Sequence, residues 1–510
     1  MRKRWAGAAV AAIALAVPSV SAAHPDEAGE RYVPWADDIS QQQSVKMLQG
    51  DMGAAAAAPA APGAANMALV GNSDKDGTVN TDLAFWGDLA YAGNYDGFRI
   101  LDVKGQQPRV VVDFKCRGPQ NDVSVYELGR KRFLFQSIDS GQTQEDCASA
   151  DAPLIGGTNR VGYEGVRVFD VTNPTRPEFV DMIQTACGSH THTLVPDGKK
   201  AYIYVSSYPL GSGVTPPGVE GPGDYRPCTT PHKKISVIEV SARRGNFSYR
   251  LKEQPLSDDT TPTSGFQACH DIQVFTAKDL AVGACAGDAQ LWSVKDPWNP
   301  TTDVEGRHTH IRSPSATDQF EFIHSGVVSW DGKTFAIMDE TGGGGTAECD
   351  GDASDDGFYY FYDVVKPGAP APPLRSRYTI PRPQTPEICV SHNGNVIPVK
   401  GRNLMVAAYY QGGNTVVDFT NPARPREIGY SDLEDTTGAA DSWSTYWYNG
   451  RAYANGGLNR RGATANRGLD VFELTGEPGR AARGAARWRY SNPQTQEAWQ
   501  APRGRGWGRD

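Results

Sequence analysis

The sequence has no excess of positive charge, no long apolar run and none of the common nucleotide-binding motifs. Its net formal charge is −9, so no basic face is expected to neutralise phosphates, which argues against a nucleic-acid partner. The apolar stretch at residues 6–17 is too short to span a bilayer, and no second span follows it. We find no serine nucleophile elbow, no P-loop and no dinucleotide fingerprint. Nucleotide use and covalent serine catalysis therefore have no support in the sequence.

The first 23 residues have the pattern of a secretory signal peptide. Arg2, Lys3 and Arg4 precede the apolar stretch, and Ser-Ala-Ala at residues 21–23 offers a small-residue cleavage site. No cysteine follows that site to carry a lipid. We therefore expect a secreted, extracellular protein without a membrane anchor.

Eight cysteines in an exported chain indicate four disulfide bonds. Cys269 and Cys285 lie almost symmetrically about a turn at residues 276–279, so a hairpin would bring them together. The positions of the other cysteines within the repeats favour sequential pairing. The favoured pairs are Cys116–Cys147, Cys187–Cys228, Cys269–Cys285 and Cys349–Cys389. The alternative is that Cys187, Cys269 and Cys389, each near a histidine, are metal ligands, but export and the even cysteine count favour disulfides.

A phrase made of a strand, an aspartate and a Pro-containing turn returns along the chain. Clear copies are GFRILDVKGQQPRVVV from Gly97, GVRVFDVTNPTRPEFV from Gly165 and TVVDFTNPARPREIG from Thr415. Segments of alternating apolar and polar residues, joined by Asp-Gly or Asn-Gly turns, precede the phrase. The sequence therefore predicts seven units of four antiparallel strands. The predicted fold is all-β, a seven-bladed β-propeller, in keeping with the 56 Gly and 35 Pro.

The predicted propeller occupies residues 67–477. Its last unit lacks a fourth strand, and MALVG at residues 67–71 resembles the fourth strand REIGYSD at 426–432, so we expect the N-terminal strand to close the ring. Residues 24–66 are predicted to be a disordered Ala/Pro-rich spacer. Residues 478–510 are rich in Arg and Trp without apolar periodicity, which favours a flexible, solvated tail over an arm that binds polyanions.

The repeated phrase resembles the strands of LVIVD-repeat proteins, which are secreted bacterial and archaeal propellers with the pattern G-[LV]-R-[IV]-[VF]-D-V-[ST]-[DN]-P. Residues 165–174, GVRVFDVTNP, fit this pattern almost position for position, and residues 98–103 and 417–422 fit it well. Repeat three departs most, because Glu239 replaces the aspartate. The resemblance covers the repeat region and implies the propeller fold. It implies almost nothing about function, since the family is largely uncharacterised.

Five of the nine histidines lie where the first strands of four neighbouring repeats begin. They are His190, His192, His270, His324 and His392. When the repeats are aligned by their turns, His190, His324 and His392 are equivalent, and His270 lies within one residue of that position. His192 is expected to point the same way as His190, because side chains two apart on a strand share a face. The sequence therefore predicts imidazoles that converge near the axis of the ring.

Converging imidazoles suit a borderline transition metal such as Zn, Cu, Fe or Mn. Asp271, Asp122 or Asp441 is expected to add a ligand or to orient an imidazole, and Asp271 and Asp122 are the candidate catalytic bases. Gly326 and Gly394 replace the second histidine of repeat three and are expected to leave open space. The alternative is that the histidines hydrogen-bond inner-strand backbones and hold neighbouring units together.

The long Gly/Pro-rich loops at residues 206–228, 341–357 and 455–468 are predicted to rise over the same face as the histidines. Residues 72–77 and 350–356 resemble Ca²⁺ loops only weakly, and solvated turns are favoured there. The leading hypothesis is a monomeric metal-dependent enzyme, an oxidoreductase or lyase, that binds a small molecule. The alternative is a non-catalytic extracellular binding or scaffold protein that holds a glycan or protein ligand on the loop-rich face.

Overall fold

The computed structural model describes fifteen stretches of the chain, and the predicted signal peptide and almost all of the predicted spacer lie outside them. These are residues 63–75, 77–155, 159–209, 213–256, 268–285, 288–301, 303–304, 307–312, 320, 322–340, 357–382, 388–435, 438–439, 441–456 and 467–497. This part of the chain is all-β, with one short α-helix, α1 (Gly476–Ala482), and a 3-10 turn at Thr276–Lys278. None of the helices in these stretches has the length and apolar character that a membrane crossing requires.

The described strands form seven antiparallel units of four strands, numbered here in chain order. The chain starts with β1 (Gly63–Ala65) and β2 (Met67–Ser73). Unit 1 contains β3 (Asn80–Trp86), β4 (Leu89–Asn94), β5 (Gly97–Asp102) and β6 (Arg109–Lys115). Unit 2 follows with β7 (Gln120–Leu128), β8 (Lys131–Gln142), a hairpin of β9 (Leu154–Ile155) and β10 (Asn159–Arg160), then β11 (Tyr163–Asp170) and β12 (Glu178–Gln184).

The next three units repeat this order. Unit 3 contains β13 (Thr191–Asp197), β14 (Lys200–Ser206), β15 (Lys234–Arg243) and β16 (Asn246–Pro255). Unit 4 contains β17 (Ile272–Phe275), β18 (Leu280–Cys285), β19 (Asp288–Ser293), a hairpin of β20 (Asp303–Val304) and β21 (Arg307–His308), and β22 (His310–Arg312). Unit 5 contains β23 (Ile323–Val328), β24 (Thr334–Asp339), β25 (Tyr359–Asp363) and β26 (Leu374–Tyr378).

The last two units share one extended sheet. Unit 6 contains β27 (Asn393–Ile397), β28 (Leu404–Ala408), β29 (Asn414–Asp418) and β30 (Arg426–Asp432), followed by the hairpin of β31 (Glu434–Asp435) and β32 (Gly438–Ala439). Unit 7 contains β33 (Ser442–Tyr448), β34 (Arg451–Gly456) and β35 (Gly468–Leu474). β36 (Tyr490–Ser491) and β37 (Thr495–Gln496) end the described chain.

The repeated phrase forms the third strand of a unit and the turn after it. Gly97 and Gly165 open this strand at φ 143° and 137°, and a side chain there would overlap backbone of the fourth strand. The aspartate at the end of the phrase accepts the backbone N–H two residues later, at 3.0 Å for Asp102 and 2.9 Å for Asp170. This Asx turn starts the connection to the fourth strand, so glycine and aspartate recur because the backbone requires them.

The N-terminal strand completes unit 7, as the sequence predicted. β2 pairs antiparallel with β35, with Met67 opposite Leu474 and Ser73 opposite Leu469. β1 adds an antiparallel fifth strand to β30. The prediction of a disordered spacer over residues 24–66 is therefore wrong for residues 63–65, because their backbone pairs with the edge of unit 6. The first strands of successive units contact one another, from β3 through β7, β13, β17, β23 and β27 to β33, and β33 contacts β3. The starts of these strands are therefore neighbours in space.

Apolar side chains fill the space between neighbouring units. Phe98 of unit 1 meets Phe169 of unit 2 edge to face, with ring centroids 5.2 Å apart. Phe85 of unit 1 stacks on Tyr448 of unit 7 at 4.6 Å, which joins the two ends of the repeat region. Each such pair contributes about 0.5–1.5 kcal/mol beyond the burial of its area.

Three of the four predicted disulfides are present. They are Cys116–Cys147, Cys187–Cys228 and Cys269–Cys285. The alternative role of Cys187 and Cys269 as metal ligands is therefore wrong, because their sulfurs are bonded to cysteine. The Cys349–Cys389 pair stays a prediction, since Cys349 lies outside the described residues.

The C-terminal segment does not behave as a solvated tail up to residue 497. β36 pairs with the end of β3, and β37 runs parallel to β17. Asn492 accepts the backbone N–H of Val125 at 2.7 Å and donates to its carbonyl at 2.9 Å. Trp488 packs against Trp330 and Trp447 at centroid distances of 5.7 and 5.5 Å. The prediction of a flexible, solvated tail is therefore wrong for residues 478–497. The sequence there has no apolar periodicity, and amide side chains bond this segment to the inner strands. Residues 498–510 lie outside the described chain.

Candidate metal centre

Four of the five predicted histidines occupy the same place in successive units. His190, His270 and His392 each donate their backbone N–H to the end of the second strand of their own unit, at 3.2, 2.6 and 2.9 Å. His324 is the second residue of β23. The four residues share this place because the units repeat: in each unit the first strand starts opposite the end of the second strand. The alignment by turns was therefore a sound guide to these four residues.

The four side chains form a continuous line, called here the imidazole row. Ring centroids are 4.7 Å apart between His190 and His270, 3.9 Å between His270 and His324, and 4.1 Å between His324 and His392. None of the four is more than 7% exposed. Tyr208 stands 6.2 Å from the His270 ring, between centroids. The row is thus packed and buried.

Two carboxylates flank the row. Asp271 places Oδ1 3.4 Å from His270 Nδ1 and Oδ2 4.0 Å from His324 Nδ1. Glu340 places Oε2 3.9 Å from His324 Nε2 and Oε1 3.6 Å from His392 Nε2. Within the described chain, two sets of three side chains can each offer ligand atoms that all lie within 4.8 Å of one another. One set is His270, Asp271 and His324, and the other is His324, Glu340 and His392.

Three of these buried atoms have no hydrogen-bond partner within the part of the chain that the structure describes. They are His270 Nδ1, His324 Nδ1 and Asp271 Oδ2. A buried polar group without a partner costs about 1–3 kcal/mol, and these three belong to the same set of side chains. A bound cation would give all three atoms a partner, because each of them can offer a lone pair.

The outer nitrogens of the row are held by hydrogen bonds. His190 Nδ1 donates to Asp139 Oδ2 at 2.9 Å, and His392 Nδ1 donates to the carbonyl of Trp443. His190 Nε2 lies 3.5 Å from the side-chain nitrogen of Gln120, and His392 Nε2 lies 3.6 Å from Glu340 Oε1. A hydrogen bond at one ring nitrogen that orients the other is typical of metal-binding histidines. Tyr410 donates its hydroxyl to Glu340 Oε1 and fixes that carboxylate in the same way.

Burial sets the protonation of the row. Desolvation, reinforced by the neighbouring imidazoles, holds the pKa of His270 and of His324 well below the usual histidine value. Both rings are therefore neutral at physiological pH, which is the form that binds a metal. Burial also raises the pKa of Asp271 to about 7, because the loss of water around this carboxylate outweighs the opposing effects of Thr191 and His190.

His192 does not belong to the row. Its Nε2 lies 2.7 Å from the Ser124 hydroxyl and its Nδ1 2.8 Å from the Ser137 hydroxyl, so both nitrogens are occupied. The predicted role of His192 as a metal ligand is wrong. His192 holds unit 3 to unit 2, as the alternative interpretation proposed, but through serine hydroxyls and not through strand backbone. Gly326 and Gly394 do not open space for a site either. A side chain at Gly394 would overlap the Val406 carbonyl, and one at Gly326 would lie 3.2 Å from backbone.

The predicted aspartates have different positions. Asp271 flanks the row and belongs to one set of potential ligands, whereas Asp122 is in neither set. Burial, with the nearby Asp82 and Asp271, raises the pKa of Asp122 well above its usual value, and its role as a base stays a prediction. Asp441 is buried at the start of unit 7 and is also in neither set.

The described residues add no support for the two loops that weakly resemble Ca²⁺ sites. Asn72 donates its side-chain amide to Asp470 Oδ1 at 2.8 Å, so it belongs to the contact between β2 and β35. Asp76 and the acidic stretch at residues 350–356 lie outside the described chain.

Sequence reasoning missed Glu340. The available signal was its position directly after the second strand of repeat five, in the sequence IMDE. The second strands end beside the histidines of the first strands, so any polar residue there faces the same space. Only the starts of the first strands were considered as sources of ligands.

No protein-family model matches the sequence, and no curated protein matches it. Among solved structures, a putative 6-phosphogluconolactonase from Bacteroides fragilis NCTC 9343 is similar at 10% identity, with a TM-score of 0.46 over 83% of this chain and 98% of that one. A putative 6-phosphogluconolactonase from Bacteroides uniformis ATCC 8492 gives 9% identity and a TM-score of 0.45, covering 79% and 94%. A hypothetical selenium-binding protein from Sulfolobus tokodaii gives 11% and 0.36, covering 56% and 62%. These similarities are too low to carry an argument about function.

Proposed function

We propose that this chain is a secreted seven-bladed β-propeller of the LVIVD-repeat kind that holds a divalent transition metal on the imidazole row and acts as a metal-dependent oxidoreductase or lyase. The observation that carries the proposal is the set of three buried, unpartnered ligand atoms on His270, Asp271 and His324. A fold that leaves three such atoms together gains stability when a cation binds them.

The propeller itself is supported by the order of the sheets. The seven units each have four antiparallel strands, and their first strands contact one another in a closed sequence. Such a ring places the starts of all first strands around one axis, which explains why residues from four units meet in the row. Export is supported by the pattern of the first 23 residues and by three disulfides.

The distances suit coordination. Ligand atoms about 2.1 Å from a common ion lie roughly 3.0–3.6 Å apart for cis octahedral to trigonal geometries. Glu340 lies 3.6 Å from His392 Nε2 and 3.9 Å from His324 Nε2, so a small inward movement would bring both pairs into this range. Imidazole and carboxylate ligands together suit Zn, Cu, Fe or Mn. When bound, such a metal supplies a Lewis acid or a redox centre.

The surroundings of the row favour a small substrate. Phe322 and Tyr208 stand over His270, with the Phe322 ring 5.5 Å from the imidazole and 6.4 Å from Tyr208. These rings exclude water, which strengthens every charge interaction near the metal. The chain's own part in catalysis is to keep the imidazoles neutral, to hold Glu340 through Tyr410 and to limit what reaches the row.

The test is the metal content of secreted, untagged protein, measured by mass spectrometry. We expect near-stoichiometric metal in the natural protein and its loss in the double variant His270→Ala/His324→Ala. His192→Asn is the matched control, because His192 is equally buried but both of its nitrogens already have partners. Circular dichroism checks that each variant is folded.

A natural protein that is free of metal, and that takes up none when incubated with Zn, Cu, Fe and Mn salts, would contradict the proposal. The row would then be a structural element, and the protein a binding or scaffold protein whose partners lie on the loop-rich face.

A further inference from the structure

His324 stands between the two carboxylates and presents a different ring nitrogen to each of them. Its Nδ1 lies 4.0 Å from Asp271 Oδ2, and its Nε2 lies 3.9 Å from Glu340 Oε2. We call His270, Asp271 and His324 Nδ1 the Asp271 group, and His324 Nε2, Glu340 and His392 the Glu340 group. Both groups meet the distance requirement for a metal site, and they share only His324.

One ion cannot use both groups in full. The lone pairs of the two imidazole nitrogens lie in the ring plane and point away from each other, so an ion on Nδ1 is out of reach of Nε2. An ion in the Asp271 group therefore leaves Glu340 and His392 without a metal, and the reverse holds for an ion in the Glu340 group. Yet each group has the buried, oriented ligands of a complete site.

We infer that the row holds two divalent metal ions, one in each group, bridged by the imidazole ring of His324. This inference rests on the proposed function and specifies its metal content. Binding of the second ion replaces the remaining N–H proton of His324, which leaves to solvent, so the ring bridges as an imidazolate. Each ion then has three protein ligands and an open position, the arrangement of catalytic rather than structural sites.

The charges around the row favour two cations over one. Asp271 and Glu340 contribute two negative charges, and the bridging imidazolate contributes a third. Asp82 and Asp122 are buried nearby, at 1% and 4% exposure, and among the described residues neither forms an ion pair with Lys or Arg. Asp271 adds to the effect of burial in raising the pKa of both. Because these raised pKa values favour the protonated forms of Asp82 and Asp122, the charge that a second dication offsets is that of the two carboxylate ligands and the bridging imidazolate.

Hydrogen bonds hold the two ends of the row. His190 lies beside His270 with ring centroids 4.7 Å apart, and it is held by Asp139 at Nδ1 and by Gln120, 3.5 Å from its Nε2. Tyr410 and the Trp443 carbonyl hold Glu340 and His392 for the Glu340 group. Each end of the row therefore has its own supporting hydrogen bonds.

The experiment is reconstitution of the full-length metal-free protein with Cu(II), with the copper count per chain and the electron paramagnetic resonance signal as readouts. We expect two copper ions per chain in the natural protein, with a signal much weaker than that of two isolated Cu(II) ions because the bridge couples their spins. Asp271→Asn and Glu340→Gln should each retain one ion and recover the signal of isolated Cu(II). His192→Asn should keep two coupled ions.

A second count with Zn(II) checks that two ions per chain bind whichever metal is used. His324→Gln should lose the coupling, since no ring then joins the two groups, and circular dichroism identifies any variant that fails to fold. One ion per chain in the natural protein, or two ions with the full signal of isolated Cu(II), would overturn the inference while leaving the proposed metal site intact. No bound ion would overturn both.

Discussion

Tyr410 shows how one side chain outside the row can control it. Its hydroxyl donates to Glu340 Oε1, and its backbone is held at φ 46°, a conformation that non-glycine residues adopt only when their surroundings require it. The strain and the hydrogen bond act together, because the unusual backbone is what aims the phenol at the carboxylate.

Removal of that hydroxyl should weaken metal binding without unfolding the protein. For Tyr410→Phe we expect metal affinity to fall about 10–100-fold, the usual effect of losing a group that orients a ligand. Tyr409→Phe is the matched control, because the Tyr409 hydroxyl is equally buried but makes no hydrogen bond among the described residues. Competition with a chelator measures both affinities. Equal affinities for the two variants would show that Tyr410 does not position Glu340.

His192 gives a prediction on pH. Burial lowers its pKa to about 3, below the value of about 6.5 in the unfolded chain, so the unfolded chain binds more protons between these values. Stability therefore falls as the pH drops from about 6.5 towards 3, by about 1.4 kcal/mol per pH unit from this residue. His192→Gln removes this loss and keeps one hydrogen bond to serine.

The urea-unfolding free energies of the natural protein and His192→Gln should therefore draw together as the pH is lowered. We expect the gap between them at pH 7 to change by about 3 kcal/mol in favour of the variant at pH 4. A gap that is the same at both pH values would mean that His192 does not titrate in this way.

The histidines show what periodicity alone can predict. His190, His270, His324 and His392 were found because a repeat makes equivalent positions visible in the sequence. His192 looked equally good, since the sequence does not reveal that Ser124 and Ser137 of the previous unit take up its nitrogens. Glu340 was missed because only the starts of the first strands were considered as sources of ligands, although its position after the second strand of repeat five is visible in the sequence.

The inner strands pack closely because of two glycines that were expected, from the sequence, to leave open space. Gly394 of β27 faces the backbone of β28, and an added Cβ would overlap the Val406 carbonyl. Gly326 of β23 has more room, with its nearest neighbours at 3.2 Å. These glycines permit close approach of neighbouring strands and do not create a cavity.

Alanine substitutions at the two glycines should therefore differ in their cost. For Gly394→Ala we expect the free energy of unfolding to fall by about 1–3 kcal/mol, because backbone must move to admit the methyl group. For Gly326→Ala the change should stay within about 1 kcal/mol. Denaturant unfolding of both variants at neutral pH makes the comparison. Equal losses would mean that the site around Gly394 relaxes more easily than its geometry suggests.

Turns and strands were the most predictable elements. The Gly and Asp of the repeated phrase specify an extended opening and an Asx turn through contacts within one unit, so sequence patterns report them. β1 pairs with β30 across more than 360 positions of sequence. The hairpin before the third strand of unit 2 and the hairpin before the fourth strand of unit 4 carry no repeat signal. Elements set by local chemistry were visible, and those set by distant partners were not.

The chain closes on itself at two places. β2 brings the N-terminal end of the repeat region to β35, and the C-terminal segment then runs from α1 to β37, touching units 1, 2, 3 and 4 on its way. The first closure was predicted because β2 copies a fourth strand. The second closure could not be predicted, because Asn492 and Thr495 bond to inner strands through polar side chains on irregular backbone, which has no recognisable sequence pattern.

The C-terminal segment should therefore contribute substantially to stability. A chain that ends after Arg487 loses Trp488, the pairing of β36 and β37, and the Asn492 bonds that satisfy both backbone groups of Val125. We expect its free energy of unfolding to fall by about 3–5 kcal/mol, since two buried backbone groups lose their partners and an indole leaves a packed contact.

The matched control is a chain that ends after Glu497, which keeps every described contact of this segment and should unfold at the denaturant concentration of the full chain. Denaturant titration followed by tryptophan fluorescence compares the three chains. If the chain ending after Arg487 were as stable as the full chain, the segment would lie against the inner strands without holding them together. The expected loss of stability follows from the position of the segment. It bonds to four units and therefore opposes their separation, whereas each unit contacts only its neighbours.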